Sequence, residues 1–259
     1  MSFLKVQDVH HTYFTKALRT TALSNINLTV EEGEFVSLLG PSGCGKTTLL
    51  SIISSLLKPT EGAVLLENKP VATTKNTIGY MLQQDYLFPW KTIEENILLG
   101  LKLAKQLNPK TRSNALNLLK QMGLNGGVEK QLPKQLSGGM RQRVALVRTL
   151  ATEPKLLMLD EPFSALDYQT KLKLEDLVSQ TLKDFGKTAI LVTHDIGEAI
   201  AMSDRVFLLS SRPGTIHKTF EIPEELRKLS PFEARNHFLY SSVFQAIWKE
   251  LETLERKSE

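Results

Sequence analysis

Residues Gly40-Pro41-Ser42-Gly43-Cys44-Gly45-Lys46-Thr47 fit G-x-x-x-x-G-K-[ST] at every fixed position. Glycines at these spacings let backbone N–H groups turn inward around phosphate oxygens, and Lys46 brings a positive charge to the outer phosphates. The Thr47 hydroxyl can ligate Mg²⁺, and the helix opening at Thr47-Thr48 aims its dipole at the anion. Gly40 through Thr48 are therefore the candidate nucleotide-binding residues. Cys44 reads as a small residue tolerated in the loop, and a redox role for it would require a lowered thiol pKa.

A second group of acids stands where the chemistry needs it. Leu156-Leu157-Met158-Leu159 is a buried strand that ends in Asp160-Glu161, and ligands of open parallel sheets bind beside the strand ends. Asp160 is placed to hold Mg²⁺, directly or through water. Glu161 can polarise a water for attack on a γ-phosphate. Adjacent acids found alone are ordinary solvent decoration; in a chain with a phosphate loop they read as metal ligand and base.

Leu136-Ser137-Gly138-Gly139-Met140-Arg141-Gln142-Arg143 opens a helix with Ser137 at its N-cap. Its two glycines bare backbone N–H groups, giving another anion-binding helix end. A single bound triphosphate does not obviously need both this end and the phosphate loop.

The elements that must position these groups follow from apolar patterning. Phe35-Val36-Ser37-Leu38-Leu39, Leu156 to Leu159, Ala189 to Val192 and Val206 to Leu209 look like strands, mostly continuous apolar runs of the kind parallel strands show when covered on both faces. Thr21 to Val30 and Ala63 to Leu66 are weaker candidates for a small antiparallel sheet. Thr92 to Met122 reads as helices broken at Asn108-Pro109 and Gly123. The pattern is mixed α/β. Beyond the Arg212-Pro213-Gly214 turn, residues 221–259 read as charged and helical. There Tyr240, Val243, Phe244, Ile247, Trp248, Leu251 and Leu254 form one apolar face, to pack on the chain's own core or, as the lesser reading, to dock a partner.

With these motifs in order from about residue 3 to residue 215, the chain resembles the nucleotide-binding subunits of ABC transporters. Its Leu136–Met140 segment, LSGGM rather than the commoner LSGGQ, is similar to that of importer subunits of the taurine, sulfonate and nitrate type. The resemblance implies a P-loop NTPase core with a mostly parallel sheet, a small antiparallel β subdomain and an inserted helical subdomain. It sets a nucleotide-binding domain at 1–220, with the helical insert at about 84–150, and a C-terminal helical extension at 221–259.

It also implies ATP and Mg²⁺ as the ligands. In the family, the phosphate loop of one subunit faces the Ser137-Gly138-Gly139-Met140 counterpart of the other, enclosing ATP between two copies. Tyr13 matches the aromatic residue that stacks on adenine, its bland reading being a surface strand aromatic. Gln83 and Gln84 compete for the glutamine that touches Mg²⁺ or the attacking water. Family spacing to Pro89-Trp90 selects Gln83. Ser164-Ala165-Leu166-Asp167 matches the loop whose aspartate, Asp167, crosses between subunits, and His194 matches the histidine that contacts the γ-phosphate. The catalytic set implied is Glu161, His194 and Gln83; the metal set is Thr47, Gln83 and Asp160. Val147-Arg148-Thr149-Leu150 departs from the family's small-residue run, as Met140 departs from its glutamine. His10, His11, His217 and His237 have no such context.

Composition narrows the partners. An excess of four positive charges, from 32 Lys+Arg against 28 Asp+Glu, comes with no long basic block, so no nucleic-acid partner is expected. The longest apolar run is four residues, against about 20 needed to span a bilayer. Residues 1–8 do not read as a secretory signal. The family implies a homodimer, membrane permease subunits and, indirectly, a solute-binding protein, which puts the chain peripherally on the cytoplasmic face of the membrane. Tyr86, Leu87, Phe88 and Trp90 either dock the permease or pack the helical insert. The alternatives are a soluble ATPase of the same family acting on nucleic acid or ribosomes, and a P-loop kinase outside it. The kinase reading leaves Leu136–Arg143 and His194 without work. A GTPase is disfavoured because Asn68-Lys69-Pro70-Val71 lacks the aspartate that reads guanine.

Overall fold

The computed structural model describes residues 2–15, 18–74, 77–164 and 166–256. Ala165 of the expected subunit-crossing loop, and residues 257–259 of the expected extension, lie outside them. The chain forms two compact units, Met1–Lys75 with Ser179–Glu259, and Asn76–Val178. Its architecture is α/β, combining parallel strands flanked by helices, a small antiparallel sheet and a helical segment.

The first unit begins with β1 (Ser2–Phe14), β2 (Arg19–Glu31), β3 (Phe35–Leu39), α1 (Lys46–Ile53), β4 (Glu61–Leu66) and β5 (Lys69–Pro70). Strands β2, β1, β4 and β5 lie side by side in an antiparallel sheet. In β2, Ile26, Leu28 and Val30 are buried while Asn27, Thr29 and Glu31 are exposed, the period-two alternation of a sheet with one face covered. The β1 strand breaks that alternation. Its register with β2 shifts between Val6 and Val9, where Asp8 takes a positive φ of 47° and its N–H donates to Asn27 Oδ1 at 3.0 Å. Such a bulge hides a strand from periodicity, and β1 was not among the expected strands.

The second unit contains β6 (Ile78–Met81), α2 (Ile93–Ile97), α3 (Leu99–Leu103), α4 (Pro109–Gln121), α5 (Gly138–Leu150) and β7 (Leu156–Asp160). Strands β6 and β7 pair in parallel from Ile78↔Leu156 to Met81↔Leu159. Helix α2 starts in a capping box between Thr92 and Glu95, and Asn108 caps α4 ahead of Pro109. The breaks expected at Asn108-Pro109 and Gly123 are present, with a further one at Leu98, between α2 and α3. This unit takes in the expected helical insert together with the strands on either side of it.

Helix α6 (Tyr168–Asp184) leads into β8 (Thr188–Val192), α7 (Ile196–Met202), β9 (Arg205–Leu209), β10 (Ile216–Glu221), α8 (Glu224–Arg227), α9 (Pro231–Arg235) and α10 (Phe238–Arg256). In the first unit β3 lies between β8 and β9, parallel to both, and β10 is antiparallel at the edge. Every residue of β3 and β8 is buried. The helical reading of the tail from residue 221 needs correcting at its start, because Glu221 still pairs with Arg205 in β10. That strand is polar, Ile-His-Lys-Thr-Phe-Glu, and mostly solvated, so no apolar run announces it.

The apolar face of α10 packs on its own unit. Ile247 and Leu254 are buried in a cluster with Leu39, Ile196, Ile200, Leu208 and Leu226, and Tyr240, Val243, Phe244 and Leu251 lie against it. Fully burying one such side chain is worth about 1.5–3 kcal/mol. Trp248, expected on this face, is half exposed instead and stacks on Phe244. Among the described residues no helix is long and apolar enough to cross a membrane.

Candidate functional site

In the first unit the phosphate loop leaves the end of β3 and enters α1. Gly45, at the helix N-cap, has a φ of 100°, and a β-carbon there would sit 2.6 Å from Leu23 Cδ2; only glycine takes that backbone at low cost. Lys46 is buried, and its ammonium donates to the carbonyls of Gly40 at 2.7 Å and Pro41 at 3.0 Å, with Cys44 Sγ at 3.6 Å. The loop's cation is thus on its inner side. Cys44 is buried, whereas Ser42, Gly43 and Thr47 are exposed.

Tyr13, near the end of β1, reaches this loop. Its hydroxyl lies 3.2 Å from Thr48 Oγ1, and its ring, less than half exposed to solvent, meets His11 edge-on at 4.6 Å. A flat ring held at the mouth of a phosphate loop is the platform a base can stack on. His194 is exposed at the end of β8. The next residue, Asp195, caps α7 by accepting from Gly197 and Glu198 N–H groups at 2.6 and 3.2 Å. Buried Thr193 hydrogen bonds Glu198 and accepts from Asp195 N–H. The residues flanking His194 are therefore fixed by hydrogen bonds at the start of α7.

In the second unit β7 delivers the two acids. Asp160 is buried, with Tyr80 Oη 3.5 Å from its carboxylate. Glu161 steps off the strand at a φ of 48°, a left-handed conformation that a non-glycine residue adopts at a cost and that often marks a functional position. The Gln83 amide donates to Glu161 Oε2 at 3.0 Å. Of the two candidate glutamines, Gln83 is the one brought to this carboxylate. Asp167 accepts from Thr170 N–H at 3.0 Å. Its pKa lies below the usual carboxylate range, chiefly through hydrogen bonding to Thr170.

Ser137 does cap α5, accepting from Met140 N–H at 3.3 Å, and Ser137 and Gly138 are exposed. Gly139 faces Leu166, whose Cδ2 would lie 2.9 Å from an added β-carbon. Helix α5 also holds the Gln83 segment through residues that motif reading passed over. Arg141 pairs with Asp85 at 2.9 Å, and Arg148 donates to the carbonyls of Asp85 at 2.7 Å and Tyr86 at 2.8 Å. Burial lowers the Arg148 pKa and Asp85 opposes that shift. A signal was available: Arg148 is a cation directly after the apolar run Val144 to Val147. Asn96, fully buried, bonds Phe88, Lys91 and Thr92 and fixes the intervening turn. Of the expected docking group, Leu87 is buried, which makes it packing, whereas Tyr86 and Trp90 are mostly exposed and Phe88 less so.

Among the described residues no three His, Cys, Asp or Glu side chains gather into a metal cage.

Residues 23–164 match the family described as ABC transporter. The chain is 61% identical over 257 residues to the ABC transporter ATP-binding protein YtlC of Bacillus subtilis, covering 99% of this chain and 98% of that protein. It is 41% identical over 240 residues to the aliphatic sulfonates import ATP-binding protein SsuB of Bacillus licheniformis, covering 92% and 90%. With the taurine import ATP-binding protein TauB of Pelagibacter ubique it shares 41% over 224 residues, covering 86% and 84%. Among solved structures, it is similar to a dimeric post-hydrolysis state of the ATP-binding cassette MJ0796 bound to ADP and Pi. The TM-score is 0.77 and the identity 35%, covering 85% of this chain and 99% of that one.

Proposed function

The chain belongs to the ABC transporter family, and from that premise we propose that it is the ATP-hydrolysing subunit of an importer, dimerising on ATP to drive a membrane permease. The observation that carries the reading is the exposed, Ser137-capped helix end of α5, a second anion-binding element in a chain that already has a phosphate loop. Relatives named for sulfonate and taurine import support a small anionic solute of that type. The choice of solute falls to the permease and a solute-binding protein, and the chain sits peripherally on the cytoplasmic face of the membrane through its permease.

In this reading Tyr13 stacks on adenine and Gly40 to Thr48 wrap the phosphates. Lys46, already holding two loop carbonyls, exchanges them for phosphate oxygens. Glu161 polarises the attacking water, and the Gln83 amide orients its carboxylate. His194 contacts the γ-phosphate. Ser137, Gly138, Gly139 and Met140 of one copy close the site of the other, with Asp167 crossing between them. Thr47, Asp160 and Gln83, all oxygen donors, would hold Mg²⁺, whose chemistry here is neutralising charge on the β- and γ-phosphates. Tyr86, Phe88 and Trp90 meet the permease, as aromatic side chains are enriched in interface cores.

The test is Ser137→Arg. A bulky cation at the helix end should block ATP-dependent dimers while leaving nucleotide binding to the monomer intact. Sedimentation with ATP reads the dimer and fluorescent-nucleotide titration reads the monomer. Equal dimer populations in parent and variant would remove the composite site.

A further inference from the structure

Within the first unit, the turn that follows β9 lies against the phosphate loop. Ser210 and Thr215 close it, Ser210 N–H donating to the Thr215 carbonyl and Thr215 N–H to Ser210 Oγ, both at 3.0 Å. Gly214 N–H donates to the Ala22 carbonyl at 2.9 Å, and the Gly214 carbonyl accepts from Ser24 N–H at 2.9 Å, so β2 pins the turn on both sides. A β-carbon on Gly214 would stand 2.0 Å from the Cys44 carbonyl oxygen. Backbone therefore packs directly on backbone here.

From that base Arg212 covers Gly43. Its Nε donates to the Gly43 carbonyl at 3.2 Å, and Nη2 lies 3.0 Å from where a Gly43 β-carbon would be. The same peptide plane carries Cys44 N–H on its opposite edge, and that N–H points to the Pro41 carbonyl at 3.3 Å. The Pro41 carbonyl also accepts from Lys46 Nζ at 3.0 Å. The loop's cation and this N–H thus converge on one spot, the side opposite Arg212.

A glycine-rich loop has peptide planes that flip at little cost, and a carbonyl turned inward would set partial negative charge against a phosphate. Guanidinium has donors only, so it can pair with the carbonyl edge alone and selects one orientation. We propose that Arg212 is a positioning residue for nucleotide binding, holding the Gly43 carbonyl outward so that Cys44 N–H faces the phosphates. The role rests on the ATP-binding reading above.

The experiment compares Arg212→Gln and Arg212→Lys with the parent protein in ATP titrations of phosphate release, with nucleotide-free melting as the fold check. Arg212→Gln should raise half-saturating ATP about tenfold, the effect of one charge-assisted hydrogen bond. Turnover at saturation should change by less than about twofold, because the residue acts on binding. The nucleotide-free melting temperature should stay put. Lysine should recover part of the loss, since it restores charge without the planar fork. Unchanged half-saturation in Arg212→Gln, or a loss that comes with lower melting and lower saturated turnover, overturns the assignment. Lys46→Ala separates the two readings: if it abolishes binding while Arg212→Gln binds like the parent, only the Arg212 role falls. If the parent itself binds no ATP, both fall.

Discussion

Glu161→Gln is expected to lower ATP turnover by about two to four orders of magnitude, the usual contribution of a positioned general base, while ATP-bound dimers accumulate. The substitution is nearly isosteric. The Gln83 amide can still donate to an oxygen at the same place as it does to Glu161 Oε2, and the left-handed backbone at this position is asked of a side chain of the same length. What disappears is the negative charge that draws a proton from water. Phosphate-release kinetics measure the loss, and sedimentation with ATP measures the trapped dimer. Parental hydrolysis in the variant would show that another group activates the water.

The second large effect is expected from Lys46→Ala. The ammonium is buried and shared between the Gly40 and Pro41 carbonyls, so in the nucleotide complex it must trade those partners for phosphate oxygens. Hydrogen bonds to charged groups are worth about 1.5–3 kcal/mol each. Because the partners given up are neutral carbonyls and those gained are anionic, removing the cation should weaken ATP binding by about tenfold or more, the worth of one such bond. Calorimetric titration of ATP against variant and parent checks this. A dissociation constant within about threefold of the parent would mean that the loop's N–H groups alone carry the affinity.

Much of this arrangement is legible in the sequence because phosphate chemistry tolerates few substitutes. Gly40 to Thr48, Asp160-Glu161 and Ser137-Gly138-Gly139 each combine a residue type with a flanking strand or helix, and those flanks are apolar runs or capping residues that periodicity finds. β3, β7, β8 and β9 were expected where they occur, and Ser137 caps its helix as expected. The failures have physical causes. The bulge at Asp8 scrambles the alternation of β1, and β10 is an edge strand whose side chains mostly face water. The bond from Gln83 to Glu161 spans 78 residues, and the grip of Arg148 on Asp85 and Tyr86 spans 63 and 62; no local pattern encodes pairings so distant. Leu87 stands among aromatic neighbours that are exposed, and only its burial separates it from them.

The grip of Arg148 has a further consequence. Its two hydrogen bonds end on main-chain oxygens of residues 85 and 86, which every amino acid possesses. The bulky side chain at 86 can therefore be exchanged for another without removing either hydrogen bond beneath it.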